Sequence, residues 1–214
     1  LNHNTVIAIH QDDHKEVLIM GKGVGFGRKV AERIEVRPED RLYSLQKYKE
    51  RGGAKEIVKS IAPEFLELTN AVLNEAEKVF GKIDRMVLFP LADHIAFAVK
   101  RIQNHEQISN PLTEDIRLLF HMEYKVAACI IPILQKKYRI SIGEDEVGYI
   151  ALHVHSAIDN ENVSDAIQIA RAVRACVQIV EEAMDKKIDV LSLSYNRLMN
   201  HVRYMIVRAI KGEK

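Results

Sequence analysis

The spacing of apolar positions changes character once along the chain. Thr5-Val-Ile-Ala-Ile-His10 and Glu16-Val-Leu-Ile-Met20 are β-branched runs parted by the polar stretch Gln11-Asp-Asp-His14. Asp40-Arg-Leu-Tyr-Ser-Leu-Gln46 is a third segment of the same kind. Runs of this length between turn residues predict short strands. So small a sheet buries little apolar surface alone, and pairing with a second copy is expected. Arg51-Gly-Gly53 punctuates the end of the region. From Ala54 onward the apolar residues recur at helical spacing, predicting helices over 55–79, 84–104, 112–137, 144–158, 164–187 and 191–211. Asn110-Pro111 interrupts one connection, and Asp159-Asn-Glu-Asn162 separates two helical blocks. The predicted class is therefore α+β multidomain, a small antiparallel β domain followed by all-α helical bundles.

Two helical stretches nearly repeat each other: Asp93-His-Ile-Ala-Phe-Ala-Val-Lys-Arg101 and Asn200-His-Val-Arg-Tyr-Met-Ile-Val-Arg208. In each, a histidine (His94, His201) precedes an aromatic by three positions and an arginine by seven, and follows a leucine (Leu91, Leu198) by three. Those offsets share one helix face. A separation of about 100 residues is too long for a solenoid and reads as two copies of a helical domain. The first copy has a downstream companion, Gly148-Tyr-Ile-Ala-Leu-His-Val-His155. The counterpart in the second copy would fall beyond residue 214, so about one and a half copies are expected.

Composition narrows the function classes. The chain has 214 residues, 47% hydrophobic and 29% charged, enough for one or two cores. Its formal net charge is +1, so affinity for nucleic acid must come from a local patch. Cys129 and Cys176 sit in apolar helical patterns without metal-ligand spacing and are expected as reduced core residues of a cytoplasmic protein. Val126 to Leu134 and Val147 to Leu152 are too short to span a bilayer. No signal peptide is visible, although the chain opens at Leu1 without Met.

The run Gly21-x-Gly-x-Gly-x-Gly27 fits neither the P-loop nor the dinucleotide fingerprint. It offers instead a backbone that can approach a ligand closely, with Phe26 among Lys22, Arg28 and Lys29. An aromatic with cations on a small sheet suits stacking on splayed RNA bases. A hairpin burying Phe26 accounts for the same residues. His94 and His201 fit hydrogen-bonded core histidines, but their recurrence with Arg101 and Arg208 also fits a phosphate acceptor with a guanidinium partner. His153 and His155 flank Val154 and point about 200° apart on a helix. Zinc binding by Asp93, His94 and His153 has no ligand-spacing signature. Nothing resembles a nucleophile–base–acid set, and no enzyme activity, metal or cofactor is expected.

These motifs, in their order, resemble the transcriptional antiterminators of the bacterial sugar phosphotransferase system. Leu1-Asn-His-Asn-Thr-Val6 and Val17-Leu-Ile-Met-Gly-Lys-Gly-Val-Gly-Phe-Gly-Arg-Lys29 resemble the co-antiterminator RNA-binding domain. Leu91 to Arg101 and Glu146 to Ala157 resemble the two histidine segments of a first phosphotransferase regulation domain. Tyr195 to Tyr204 resembles the first such segment of a second. Asp93 to Arg101 and Leu152-His-Val-His-Ser156 are similar to the glucose-operon type.

The resemblance implies domains at 1–50, 54–160 and 163–214, the last partial. It implies a homodimer binding an antiterminator hairpin in leader mRNA through Asn2, Asn4, Gly21, Lys22, Gly23, Phe26 and Lys29, and so preventing the terminator. It further implies phosphorylation of His94 and His153 by a sugar-specific enzyme II, and of His201 by the phosphocarrier HPr. Asp93, Arg101 and Arg208 would be the histidines' partners. His3 stands where the family has asparagine. A DNA-binding activator with the same regulation domains, or a phosphohistidine-transfer component, is the alternative.

Overall fold

The computed structural model describes residues 1–11, 15–30, 32–45, 58–159, 162–189, 192–210 and 212. The expected turn over 12–14, Gln46, the Arg51–Gly53 punctuation and the centre of the 159–162 separator lie outside the described residues. The chain divides into two compact units, Leu1–Gln107 with Cys129–Ser141, and Ile108–Ala128 with Ile142–Lys214.

The first unit begins with an antiparallel sheet in the order β1 (Thr5–Ile9), β2 (Glu16–Met20), β3 (Arg41–Ser44). Thr5 pairs with Met20, and Leu18 with Tyr43. Side chains alternate across a strand, so Ile7, Leu18, Met20 and Tyr43 share one face while Val6, Val17, Ile19 and Leu42 share the other. Leu18, Ile19 and Met20 are all buried, as befits a central strand. The third strand starts one residue later than its pattern predicts. Asp40 turns inward instead and takes two hydrogen bonds from the Arg37 guanidinium, at 3.2 and 2.8 Å.

Helix α1 (Pro63–Phe80) follows. The helix predicted over 55–79 is interrupted: residues 58–60 are helical, Ile61 bends and Ala62 is extended, while 55–57 lie outside the described residues. Pro63 is favoured in a first turn and pushes Ala62 to extended backbone, ψ 134°, so the helix restarts there. Its inner face carries Leu66, Thr69, Val72, Leu73 and Ala76. A 3₁₀ turn (Arg85–Val87), capped by the Asp84 carboxylate accepting from Met86 N–H at 2.9 Å, leads into α2 (Leu88–Gln103). The fully buried Leu88, Leu91, Ala92 and Ile95 pack this helix onto the core.

Polar groups join sheet to helix. Arg85 Nε donates to the Tyr43 hydroxyl at 3.1 Å, and Nη2 donates to the side-chain oxygens of Asn70 and Asn74. Glu77 receives Arg85 at 2.8 Å and Arg41 at 2.9 Å. The Arg85 side chain is 13% exposed, so losing it strands several acceptors in partial burial.

The single helix predicted over 112–137 is three: α3 (Thr113–Leu119), α4 (His121–Ala127) and α5 (Ile130–Tyr138). Phe120, at φ −118°, ψ 46°, leaves the helical region and turns its ring into the core. Pro132 has no N–H for the carbonyl four residues back, so the ladder restarts and places it in a first turn. Helix α5 belongs to the first unit, where Phe65 stacks on Tyr138 at 5.7 Å.

In the second unit α6 (Glu144–Asp159) is central, with Val147, Ile150, Ala151 and Val154 buried. Helix α7 (Val163–Met184) opens on an Asn162 cap accepting from Asp165 N–H and ends at left-handed Asp185. Helix α8 spans Leu193–Ile210. Among the described residues no single helix is long and apolar enough to cross a membrane. Cys129 and Cys176 are half-buried rather than core residues, and burial pushes the Cys129 thiol up to about 11.

Replacing Arg85 by Met should cost about 2–4 kcal/mol, because it leaves Glu77 and two asparagines short of a donor. Urea unfolding checks this, with the loss appearing in the midpoint rather than the slope.

Candidate nucleic-acid interface and histidine sites

Six of the seven predicted RNA-contact residues converge at one end of the sheet. The chain enters β1 through Asn2–Asn4 and leaves β2 into Gly21–Gly27, so both segments meet there. Asn4 C=O accepts from Gly21 N–H at 3.0 Å, and His3 C=O accepts from Gly25 N–H at 2.9 Å. The side-chain oxygen of Asn2 takes the Asn4 N–H at 2.9 Å, and that of Asn4 takes the Gly23 N–H at 2.8 Å. Gly23 adopts φ +71°, a left-handed turn that a side chain would strain. A Cβ on Gly25 would come within 2.5 Å of the Asn2 carbonyl oxygen, so the approach of loop to strand requires glycine.

Phe26 projects from this loop 69% exposed, its ring edge-on to His3 at 5.2 Å. It is not the buried hairpin residue. Lys22, Arg28 and Lys29 are exposed around the same loop. The backbone is anchored by these hydrogen bonds beneath exposed cations and a presented aromatic, which suits stacking with phosphate neutralisation.

Sequence reasoning missed Arg37. Its Nη2 donates to the Lys22 carbonyl at 2.7 Å and to Asp40 at 2.8 Å, pinning the start of the glycine loop. The hydrogen bond from Arg37 holds the Asp40 carboxyl below the usual carboxylate range. The i, i+3 spacing around Pro38 was the available signal.

On α2, His94 is half-buried and Asp93 exposed. Phe97 is 58% exposed and carries the Arg101 guanidinium over its ring at 4.7 Å, so the aromatic and arginine of the repeat stack on each other. In the second copy His201, Tyr204 and Arg208 are exposed on α8.

On α6, His153 is half-buried whereas His155 is 1% exposed. His155 Nδ1 lies 3.0 Å from Glu123 Oε1 and its ring 4.2 Å from Phe120, over which Arg203 is placed at 5.1 Å. Two histidines two positions apart thus have different surroundings, as their helical angle requires. Burial works to raise the Glu123 carboxyl, but hydrogen bonds from His155 and the backbone, with the Arg203 charge, outweigh it and leave it lowered. Among the described residues no group of three His, Cys, Asp or Glu side chains is placed to hold a metal.

Residues 1–52 match the CAT RNA binding domain, and residues 67–157 match the PRD domain. The chain is 31% identical over its whole length to a GlcA/glcB genes antiterminator of Staphylococcus carnosus, covering 75% of that protein. It belongs to this antiterminator family. A PtsGHI operon antiterminator of Bacillus subtilis is 32% identical over the whole chain, which covers 76% of it. A crystal structure of GlcT CAT-PRDI superposes with a TM-score of 0.63 at 33% identity, over 75% of this chain and 95% of that one. As an antiterminator it binds RNA and is regulated through the phosphotransferase system. The DNA-binding alternative is set aside, because strands and an RNA-binding domain occupy the N-terminal region.

A carboxyl lowered in the fold stabilises it above the unfolded pKa, near 4.3 for glutamate, and that contribution is lost as pH falls through the folded value. Stability should therefore drop on acidification below about pH 4.3, and the drop should be shallower in Glu123→Gln. Chemical denaturation of both proteins at stepped pH gives the comparison.

Proposed function

We propose that residues 1–50 act as a dimeric RNA-binding domain that holds an antiterminator hairpin in nascent leader mRNA and keeps the overlapping terminator from forming. Residues 54–160 would be the first regulation domain and 163–214 part of a second. The observation that carries the RNA half is the exposed Phe26 on a loop whose amides are anchored by Asn4 and His3. Asn2, Asn4, Gly21, Lys22, Gly23, Phe26 and Lys29 make the contacts. Dimerisation draws support from the sheet face opposite α1, where Val6, Ala8 and Val17 are half-buried and Leu42 is 47% exposed.

The regulatory half rests on His94 and His153 as acceptors of phosphate from a sugar-specific enzyme II, and on His201 as an acceptor from HPr. Both first-domain histidines are half-buried, so a phosphate there brings negative charge to a partly desolvated helix surface and disfavours association with a like-charged copy. Phosphorylation at these two sites turns the protein off. Asp93, Arg101 and Arg208 orient the imidazoles or hold the phosphate. The protein works in the cytoplasm, needs no cofactor and catalyses no reaction.

Phe26→Ala should weaken hairpin binding by about 1–3 kcal/mol, the usual cost of losing one base–aromatic stack. Lys22→Ala and Lys29→Ala should each weaken it and lower the slope of log K against log salt by about one. Gel-shift titrations over a salt series read both effects. A folded Phe26→Ala protein binding with unchanged affinity would show that the loop is not the contact surface.

Incubation with enzyme I, HPr and enzyme II should place phosphate on His94 or His153 by mass spectrometry. His94→Asp and His153→Asp should lower dimerisation and antitermination, while alanine at these sites leaves activity that no longer responds to sugar. Absence of phosphate at both sites refutes the regulatory assignment.

A further inference from the structure

The two asparagines of the RNA-binding face are engaged at both ends. Their side-chain oxygens accept backbone N–H groups, Asn4 N–H for Asn2 at 2.9 Å and Gly23 N–H for Asn4 at 2.8 Å. Those bonds fix which end of each amide is the donor, since an N–H cannot be satisfied by an NH₂ group. Both donor ends then point at one carboxylate. Asn2 Nδ2 donates to Glu67 Oε1 at 2.7 Å, and Asn4 Nδ2 to Glu67 Oε2 at 3.3 Å. Each oxygen of Glu67 serves one asparagine.

We infer that Glu67 is a further determinant of RNA affinity, a latch on α1 that withholds the Asn2 and Asn4 amides from the nucleic acid. The inference rests on the assignment of those two asparagines as RNA contacts. A phosphate or a base acceptor approaching them meets a fixed negative charge and must displace two charge-assisted hydrogen bonds. Glu67, Asn4, Gly21 and Lys22 line one open cleft of about 760 Å³, so the carboxylate stands inside the surface that RNA would occupy.

The latch is held in register from a distance. Arg85 and Glu77 tie α1 to Tyr43 and Arg41 of β3, which keeps Glu67 opposite the entry to β1. Glu67 is also the first residue of the stretch matching the PRD domain. Any shift of α1 against the sheet therefore frees both amides together, and this gives the regulatory region a direct hold on the RNA face.

The test is fluorescence anisotropy with the full chain and a labelled hairpin, chosen from a panel of leader hairpins for measurable wild-type binding. Glu67→Ala should bind about 10-fold tighter, the size expected for releasing a charge-assisted pair, and Glu67→Gln should gain less. Glu75→Ala removes the same charge from the same helix, where the carboxylate faces Lys78, and should change affinity less than about twofold. In an Asn2→Ala, Asn4→Ala background the gain from Glu67→Ala should vanish. A folded Glu67→Ala protein with equal or weaker affinity overturns the latch, as does an undiminished gain in the double-alanine background. Should Glu67→Ala not fold, Glu67→Gln decides by the same criteria. If the double-alanine protein binds like wild type, the contact assignment itself fails; if it loses binding while the Glu67 variants gain nothing, only the latch fails.

Discussion

The Arg85 guanidinium is the joint on which the first unit depends. From a 3₁₀ turn it reaches Tyr43 on the sheet and Asn70, Asn74 and Glu77 on α1. Apolar packing alone lets a helix slide along a sheet, because hydrophobic contact is non-directional. A planar guanidinium with several fixed donors does not allow sliding. Through this joint the position of α1 is set to within a hydrogen bond, and with it the distance from Glu67 to Asn2 and Asn4.

The proposed RNA face follows from the same economy of directional bonds. Few of its residues bury much surface, yet Asn2, Asn4, His3 and Arg37 each tie down a backbone group of the glycine loop or the turn before it. Loop backbone ordered before binding loses less conformational entropy on meeting a ligand. The cations stay exposed as a local patch in a chain whose formal net charge is only +1. Under the proposed latch, a shift of α1 alters which groups RNA can reach without any change within the loop.

Much of this was legible in the residues. The β-branched runs placed all three strands to within a few residues, and helical spacing found α1, α2, α6, α7 and α8, because those patterns report burial directly. The ordered motifs indicated the family before any geometry. The long helix at 112–137 was misread because apolar spacing continues through its breaks, although Pro132 was the visible warning. The exposure of Phe26 could not be read, since a buried hairpin phenylalanine has the same sequence signature. Glu67 was invisible for a plainer reason: its partners are 63 and 65 residues away, and nothing local marks it. His155 was seen, but its burial against Glu123 depends on two helices meeting.

The proposed function and the latch both depend on where RNA touches the chain. Titrating an unlabelled antiterminator hairpin into ¹⁵N-labelled protein and following amide chemical shifts locates that surface without altering a residue. The largest shifts should fall on Asn2 to Asn4 and on Gly21 to Lys29, together with the side-chain amides of Asn2 and Asn4 as they leave Glu67. Shifts concentrated elsewhere, with Gly23, Gly25 and Phe26 unmoved at saturation, would contradict both.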